Sequence, residues 1–220
     1  MSIVVITGAN RGIGLELVRQ FKQRGDEVVA ACRKSSDELA KLEVEVVEGV
    51  DVGDDAAVGR FAATLEGRTV DVLVNCAGIL SDESLTDLNF ARMRRQYEVN
   101  SLGPLRVTAA LRGNLSKGSK VAIVTSRMGS IEDNTSGGRY GYRMSKAAVN
   151  MAGRSLANDL KDVGVAVAIL HPGFVRTDMT GHQGLIDPPE SAAGLIARID
   201  EVTLETTGTF WHTNGEIIPW

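Results

Sequence analysis

A chain of 220 residues, 43% hydrophobic and 24% charged, is long enough for one well-buried core and short for two, so a single domain spanning 1–220 is expected. A net charge of −4 leaves no cationic footprint for nucleic acid or an anionic membrane, and no apolar run approaches the ~20 residues of a membrane span. Two cysteines, Cys32 and Cys76, with no CxxC spacing, suit buried thiols in a reducing, cytoplasmic compartment.

The opening MSIVVITG has no basic leader region and reads as a strand over 3–7 rather than a secretory signal. It runs into TGANRGIG, residues 7–14, whose glycine spacing differs from Gly-x-Gly-x-x-Gly and which lacks the Lys-Ser/Thr of a P-loop. The physics of the position is nevertheless that of an anion site. Gly8 permits a tight turn, Gly12 lets a phosphate approach the backbone, and Gly14 lets the following helix sit close to the sheet. In that helix Ile13, Leu17, Val18 and Phe21 fall on one face, and Gly25 is placed to cap it.

Further apolar runs follow at 27–31, 44–49, 70–75, 120–126, 165–170 and 207–212. Near-continuous Val/Ile runs mark strands covered on both faces, and their alternation with amphipathic stretches predicts an α/β, doubly wound Rossmann fold. Its sheet should be mostly parallel and seven-stranded. Ligands bind outside the carboxyl ends of such strands. The basic cluster Arg92, Arg94 and Arg95 reads as a solvated helix face or a subunit contact. His171, His182 and His212 show no metal-ligand spacing, so no metal is expected.

RYGYRMSK, residues 139–146, holds two tyrosines and a lysine. If it is helical, Tyr142 and Lys146 share a face while Tyr140 pairs with Met144. Gly141 suggests that Tyr140 lies just before the helix. A free phenol has a pKa near ~10, and a nearby ammonium favours the phenolate, so Tyr142 is the candidate proton-transfer group.

TGANRGIG, NCAG at 75–78, Asn100, Ser126, Tyr142-x-x-x-Lys146 and Pro172–Gly173, in this order, resemble the motif set of the short-chain dehydrogenase/reductase family. The stretch SRMGSIEDNTSGGRYGYRMSKAAVN and the ending NGEIIPW are similar to sniffer-type carbonyl reductases and C-factor-like proteins. The resemblance implies a nicotinamide cofactor and hydride transfer between it and a carbonyl or alcohol. It places Gly8, Asn10, Arg11, Gly12, Ile13 and Gly14 on the cofactor, with Asn75, Ala77 and Gly78 along it and Asn75 also steadying the central sheet. It also puts Asp51 and Val52 at the adenine, and Pro172, Gly173, Val175 and Thr177 at the nicotinamide carboxamide. Lys146 would hold the nicotinamide ribose as well as tune Tyr142, and Asn100 would kink its helix and hold a water linked to Lys146.

Ser126 ends the fifth predicted strand, where its hydroxyl could stabilise a developing alkoxide. It precedes Tyr142 by 16 residues, where the family serine commonly does so by 13. The extra length falls in the polar loop EDNTSGG, which tolerates insertion. Ser130 is the competitor. Arg11 and Arg33, with no carboxylate at the end of the second strand, point to NADP(H), since Arg pairs well with a 2′-phosphate.

The expectation is an NADPH-dependent reductase of small or planar aldehydes, ketones or quinones, reversible towards alcohols. The rival is an NADP(H)-binding sensor on the same scaffold, which has no need of the four residues Asn100, Ser126, Tyr142 and Lys146 together. The resemblance further implies a homodimer through 87–115 and 142–163. The short segment between Thr177 and Pro188 predicts an open pocket and broad specificity.

Overall fold

The computed structural model of the protein describes residues 2–220. Seven strands form one sheet in the order β3-β2-β1-β4-β5-β6-β7. They are β1 (Ile3–Thr7), β2 (Glu27–Ala31), β3 (Glu45–Val47), β4 (Val72–Asn75), β5 (Lys120–Val124), β6 (Ala166–His171) and β7 (Phe210–His212). Every adjacent pair is parallel. The helices are α1 (Gly12–Gln23), α2 (Asp37–Ala40), α3 (Asp55–Ala63), α4 (Phe90–Tyr97), α5 (Gly103–Ala110), α6 (Tyr140–Lys161) and α7 (Pro188–Glu201).

Alternation along the strands feeds two separate cores. Val5, Val29, Leu73, Ile123 and Ile169 point to one face and pack with Phe61 of α3, Val107 of α5 and Val149 of α6. Val4, Ile6, Val74, Ala122 and Leu170 point to the other, against Leu17 and Phe21 of α1 and Leu195 and Ile199 of α7. Burial on both faces accounts for the unbroken Val/Ile runs in the sequence. Gly25, at φ 91°, ends α1 as its spacing suggested.

Several strands are shorter than the apolar runs that announced them. β7 starts only at Phe210: Gly208, at φ +76°, still donates to Val167 O of β6, but its left-handed backbone departs from extended geometry. β5 ends at Val124, since Ser126 turns out of the sheet to cap a 3-10 turn at Arg127–Gly129. Helix α6 begins at Tyr140 itself, after a left-handed Arg139 at φ 48°, so Tyr140 lies inside the helix rather than before it.

Strand order reverses between β1 and β4, which pair in register from Val4 with Val72 to Thr7 with Asn75. The crossovers diverge there and open a crevice at the carboxyl ends.

Candidate active site

A cleft of about 630 Å³ opens at that reversal and runs from the glycine turn to Lys146. Its floor is built by close backbone approach. A Cβ on Gly14 would fall 2.2 Å from Gly8 O, and one on left-handed Gly8 would fall 2.7 Å from Ala77 Cα. No other residue fits either place. The turn is clasped to the end of β2, where Asn10 Nδ2 donates to Lys34 O at 3.0 Å and Ser36 Oγ donates to Asn10 O at 2.7 Å. The first N–H groups of α1 therefore point into a fixed cradle.

Gly8, Asn10, Arg11, Gly12, Ile13, Gly14, Arg33, Asp51, Val52, Ala77, Gly78, Tyr142, Lys146, Pro172 and Thr177 all line this cleft. Asn75, Gly173 and Val175, expected along the cofactor, lie behind it. Asn75 is buried and donates to Thr108 Oγ1 at 3.2 Å, tying the sheet to α5. Val175 is buried and bridges Ile186, while Gly173 packs on the Ile186 side chain.

The two arginines differ. Arg33 is exposed at the end of β2 and forms no ion pair among the described residues, whereas Arg11 lies 3.6 Å from Asp178 across the cleft mouth. Asp51 is engaged by Arg95 at 2.6 Å and by the Gly53 N–H at 2.9 Å. Burial opposes its ionisation, but these donors together with Arg33 outweigh it and hold the carboxyl below its usual range. Arg95 thus belongs to the cleft, contrary to its reading as a solvated face or subunit contact; an ion pair between positions 51 and 95 leaves no local spacing to detect.

At the deep end, the catalytic candidates converge. Asn100 sits in a π-helical turn, Glu98–Leu102, between α4 and α5. There its Oδ1 accepts from Ile79 N at 2.8 Å and its Nδ2 donates to Ile79 O at 2.9 Å and Ser145 Oγ at 3.0 Å. The expected helix distortion is this turn. Ser126 Oγ accepts from Met128 N at 3.1 Å and is near enough to the Tyr142 phenol to favour its ionised form. Ser130 instead accepts from Asp133 N at 3.0 Å and braces the following loop, which leaves Ser126 as the serine beside the tyrosine.

Lys146 is buried, donates to Val124 O at 3.0 Å, and lies 5.7 Å from the centroid of the Tyr142 ring. Burial pulls its pKa down to about 8, opposed by Cys76. Burial likewise pushes the Tyr142 phenol above the usual tyrosine range, although the Ser126 hydroxyl and Arg139 act against it. The net direction is therefore upward, where a lowering by the ammonium was expected. Lys146 sits over the ring, and desolvation dominates.

Other residues are placed by the fold alone. Cys76 lines the cleft beside Lys146, and burial raises its thiol to about 12, which makes it inert as a nucleophile. His171 ends β6 edge-on to His212 at 5.0 Å, its Nδ1 buried without a partner, and burial lowers its pKa to about 3. Among the described residues no cluster suits a metal ion, and no helix is long and apolar enough to cross a membrane. The segment after Thr177 folds on itself, with Gly184 against the backbone of Phe174–Arg176, so that only Asp178 and Met179 reach the cleft.

A family model described as short chain dehydrogenase matches residues 2–185. The chain is 45% identical over its full length, and that of the relative, to 1-hydroxy-2-glutathionyl-2-methyl-3-butene dehydrogenase of Rhodococcus sp. (strain AD45). Its fold is similar to carbonyl reductase Sniffer of D. melanogaster, with TM-score 0.92 and 29% identity, covering 100% of this chain and 99% of that one. It is also similar to an NADPH-bound carbonyl reductase from chicken fatty liver, with TM-score 0.89 and 28% identity over 100% of both chains.

Proposed function

From the premise that this chain belongs to the short-chain dehydrogenase family and is an oxidoreductase, we propose that it is an NADPH-dependent carbonyl reductase of aldehydes, ketones or quinones. The single observation that carries the reading is that Tyr142, with Lys146 over its ring and Ser126 nearby, stands at one end of a cleft whose other end is the glycine cradle.

The residues fit the cofactor. Gly78 leaves the space where a Cβ would stand 3.4 Å from Asn100 Oδ1 and 3.8 Å from Lys146 Nζ. The N–H groups at the start of α1 suit a pyrophosphate, and the free Arg33 guanidinium suits a 2′-phosphate. Bound there, NADPH supplies a hydride to the carbonyl carbon.

The chain does the rest. Ser126, its oxygen already accepting from Met128 N–H, directs its own O–H to the carbonyl oxygen and holds the charge that develops there. Tyr142 Oη gives that oxygen its proton, and takes it back when an alcohol is oxidised. Lys146, held by the Val124 carbonyl, supplies positive charge under the phenolate as it forms. Asn100, anchored at both amide atoms, fixes the floor behind them.

The whole chain acts as one cytoplasmic domain in this reading, and the open cleft serves broad specificity. Exposed Phe90, Tyr97, Leu105, Met144 and Met151 on α4 to α6 supply the apolar face for a homodimer, which a solution mass would check. The activity test is the decay of NADPH absorbance with a panel of aldehydes, ketones and quinones. Tight NADPH binding with no turnover of any of them would overturn the reductase and favour a cofactor sensor.

A further inference from the structure

Beside the proton-transfer pair lies a second groove, of about 460 Å³, that the hydride chemistry does not use. It is lined by Met128, which donates its N–H to Ser126 Oγ at 3.1 Å, and by Asp87, Gly137, Arg139 and Arg143 among others. Arg139 and Arg143 flank Tyr142 at the start of α6. The groove is thus joined to Ser126 through Met128 and to Tyr142 through its neighbours in the chain.

Its charges are unevenly matched. Asp82 is paired with Arg139 at 2.6 Å, and buried Glu83 accepts from Ser81 Oγ at 2.6 Å and from Gln96 Nε2 at 3.3 Å. Half-buried Arg143 donates only to Gly137 O at 3.2 Å and Ser136 Oγ at 2.8 Å, and meets no carboxylate among the described residues. A guanidinium has five N–H donors, so most of its capacity remains for a ligand. Across the same groove the Asp87 carboxylate pairs with no cation among the described residues. One free guanidinium and one free carboxylate on a single groove, too far apart to satisfy each other, are complementary to a group carrying both an anion and a cation.

We propose that this groove is a subsite for an amino-acid head, its α-carboxylate on Arg143 and its α-ammonium on Asp87, carried by the carbonyl substrate. The assignment rests on the reductase reading for its place in catalysis, but not for binding. The planar fork of Arg143 recognises carboxylate with two parallel hydrogen bonds, while the open side of the groove admits substrates without the head.

Four ketones that share one reacting group test this. They are 4-acetylphenylalanine, its deaminated analogue 3-(4-acetylphenyl)propanoate, its decarboxylated analogue 2-(4-acetylphenyl)ethylamine, and 4-ethylacetophenone. The wild type should reduce 4-acetylphenylalanine with kcat/KM about tenfold or more above 4-ethylacetophenone, chiefly through KM. Arg143→Leu should erase that advantage and leave 4-ethylacetophenone within about twofold, and Arg143→Lys should restore part of it. Asp87→Asn should slow 4-acetylphenylalanine but not 3-(4-acetylphenyl)propanoate. Equal kcat/KM for all four ketones, or equal losses on every ketone in Arg143→Leu, overturns the subsite. If the wild type reduces none of them, the reductase reading has failed separately. Saturation-transfer NMR with 4-acetylphenylalanine then decides: binding that Arg143→Leu abolishes upholds the subsite, and no binding to the wild type overturns it.

Discussion

The two ends of the main cleft are built by different means. At the glycine turn, main chain meets main chain: Gly8 faces Ala77, Gly14 faces Gly8 O, and the packing leaves no room for a side chain. At the deep end, four side chains from three separate elements meet, Asn100 from the π-turn, Ser126 after β5, and Tyr142 and Lys146 from α6, beside a loop in which Gly137, Gly138 and Arg139 are all left-handed. Backbone recognition serves a group that is the same in every cycle, whereas side chains on loops can be retuned for the variable partner. The difference teaches where variation is tolerated: at the loops, and not at the turn.

The sharpest way to break this comparison is to remove chemistry from the deep end alone. Tyr142→Phe should lower kcat by roughly 10²–10⁴ while NADPH affinity stays within about twofold. Tyr140→Phe, two residues away and partly exposed, should change kcat little. Equal losses in both variants would remove Tyr142 from its role.

At the other end, Arg33→Asp puts a carboxylate where a 2′-phosphate would lie. A charge-assisted hydrogen bond contributes about 1.5–3 kcal/mol, so the NADPH-to-NADH ratio of kcat/KM should drop by about tenfold to a hundredfold. A wild type that uses NADH as well as NADPH would refute the assignment before the variant is made.

The third test reads stability. With its pKa lowered from 10.5 to about 8, Lys146 binds its proton more weakly in the folded than in the unfolded chain. That penalises the fold below about pH 8, by about 3 kcal/mol, and the penalty is relieved as pH rises from about 8 to about 10.5. Cys76 and Tyr142, both raised, act in the opposite sense once their unfolded counterparts ionise, above about pH 9. The informative quantity is therefore the difference between wild type and Lys146→Met, which should favour the variant at pH 7 and shrink by pH 10 in urea titrations. A difference that does not vary with pH would mean Lys146 is not desolvated.

The smallest effect joins the two ends. Arg11 and Asp178 form an exposed pair, of the kind that contributes about 0–1 kcal/mol. Asp178→Asn should free Arg11 and tighten NADPH by up to about fivefold, while NADH affinity stays unchanged. Calorimetric titration of both cofactors would show it.

Much of this was legible in the sequence because it rests on local rules. Near-continuous Val/Ile runs foretold seven strands covered on both faces, and the interval between Tyr142 and Lys146 foretold one helix face. Ser126 could be preferred to Ser130 from its place at a strand end. What stayed hidden depends on long-range approach. The pairing of Arg95 with Asp51 and the placing of Lys146 over the tyrosine ring join distant segments. Desolvation of the phenol is of the same kind, since burial is a property of the finished fold.

The sheet's two outer strands, β3 and β7, are each three residues long. On β7 the chain folds back on itself: His212 N donates to Glu216 O at 2.8 Å, Ile218 N donates to Phe210 O at 2.8 Å, and Trp220 stacks on Phe210 at 5.5 Å. On β3 the rim carries Glu45, tied with Glu27 to Arg68. An unpaired parallel edge is a template for fibrous self-association. This protein closes one edge with its own chain and guards the other by shortness and charge, so the returning segment at β7 occupies the hydrogen-bonding groups through which another sheet would pair.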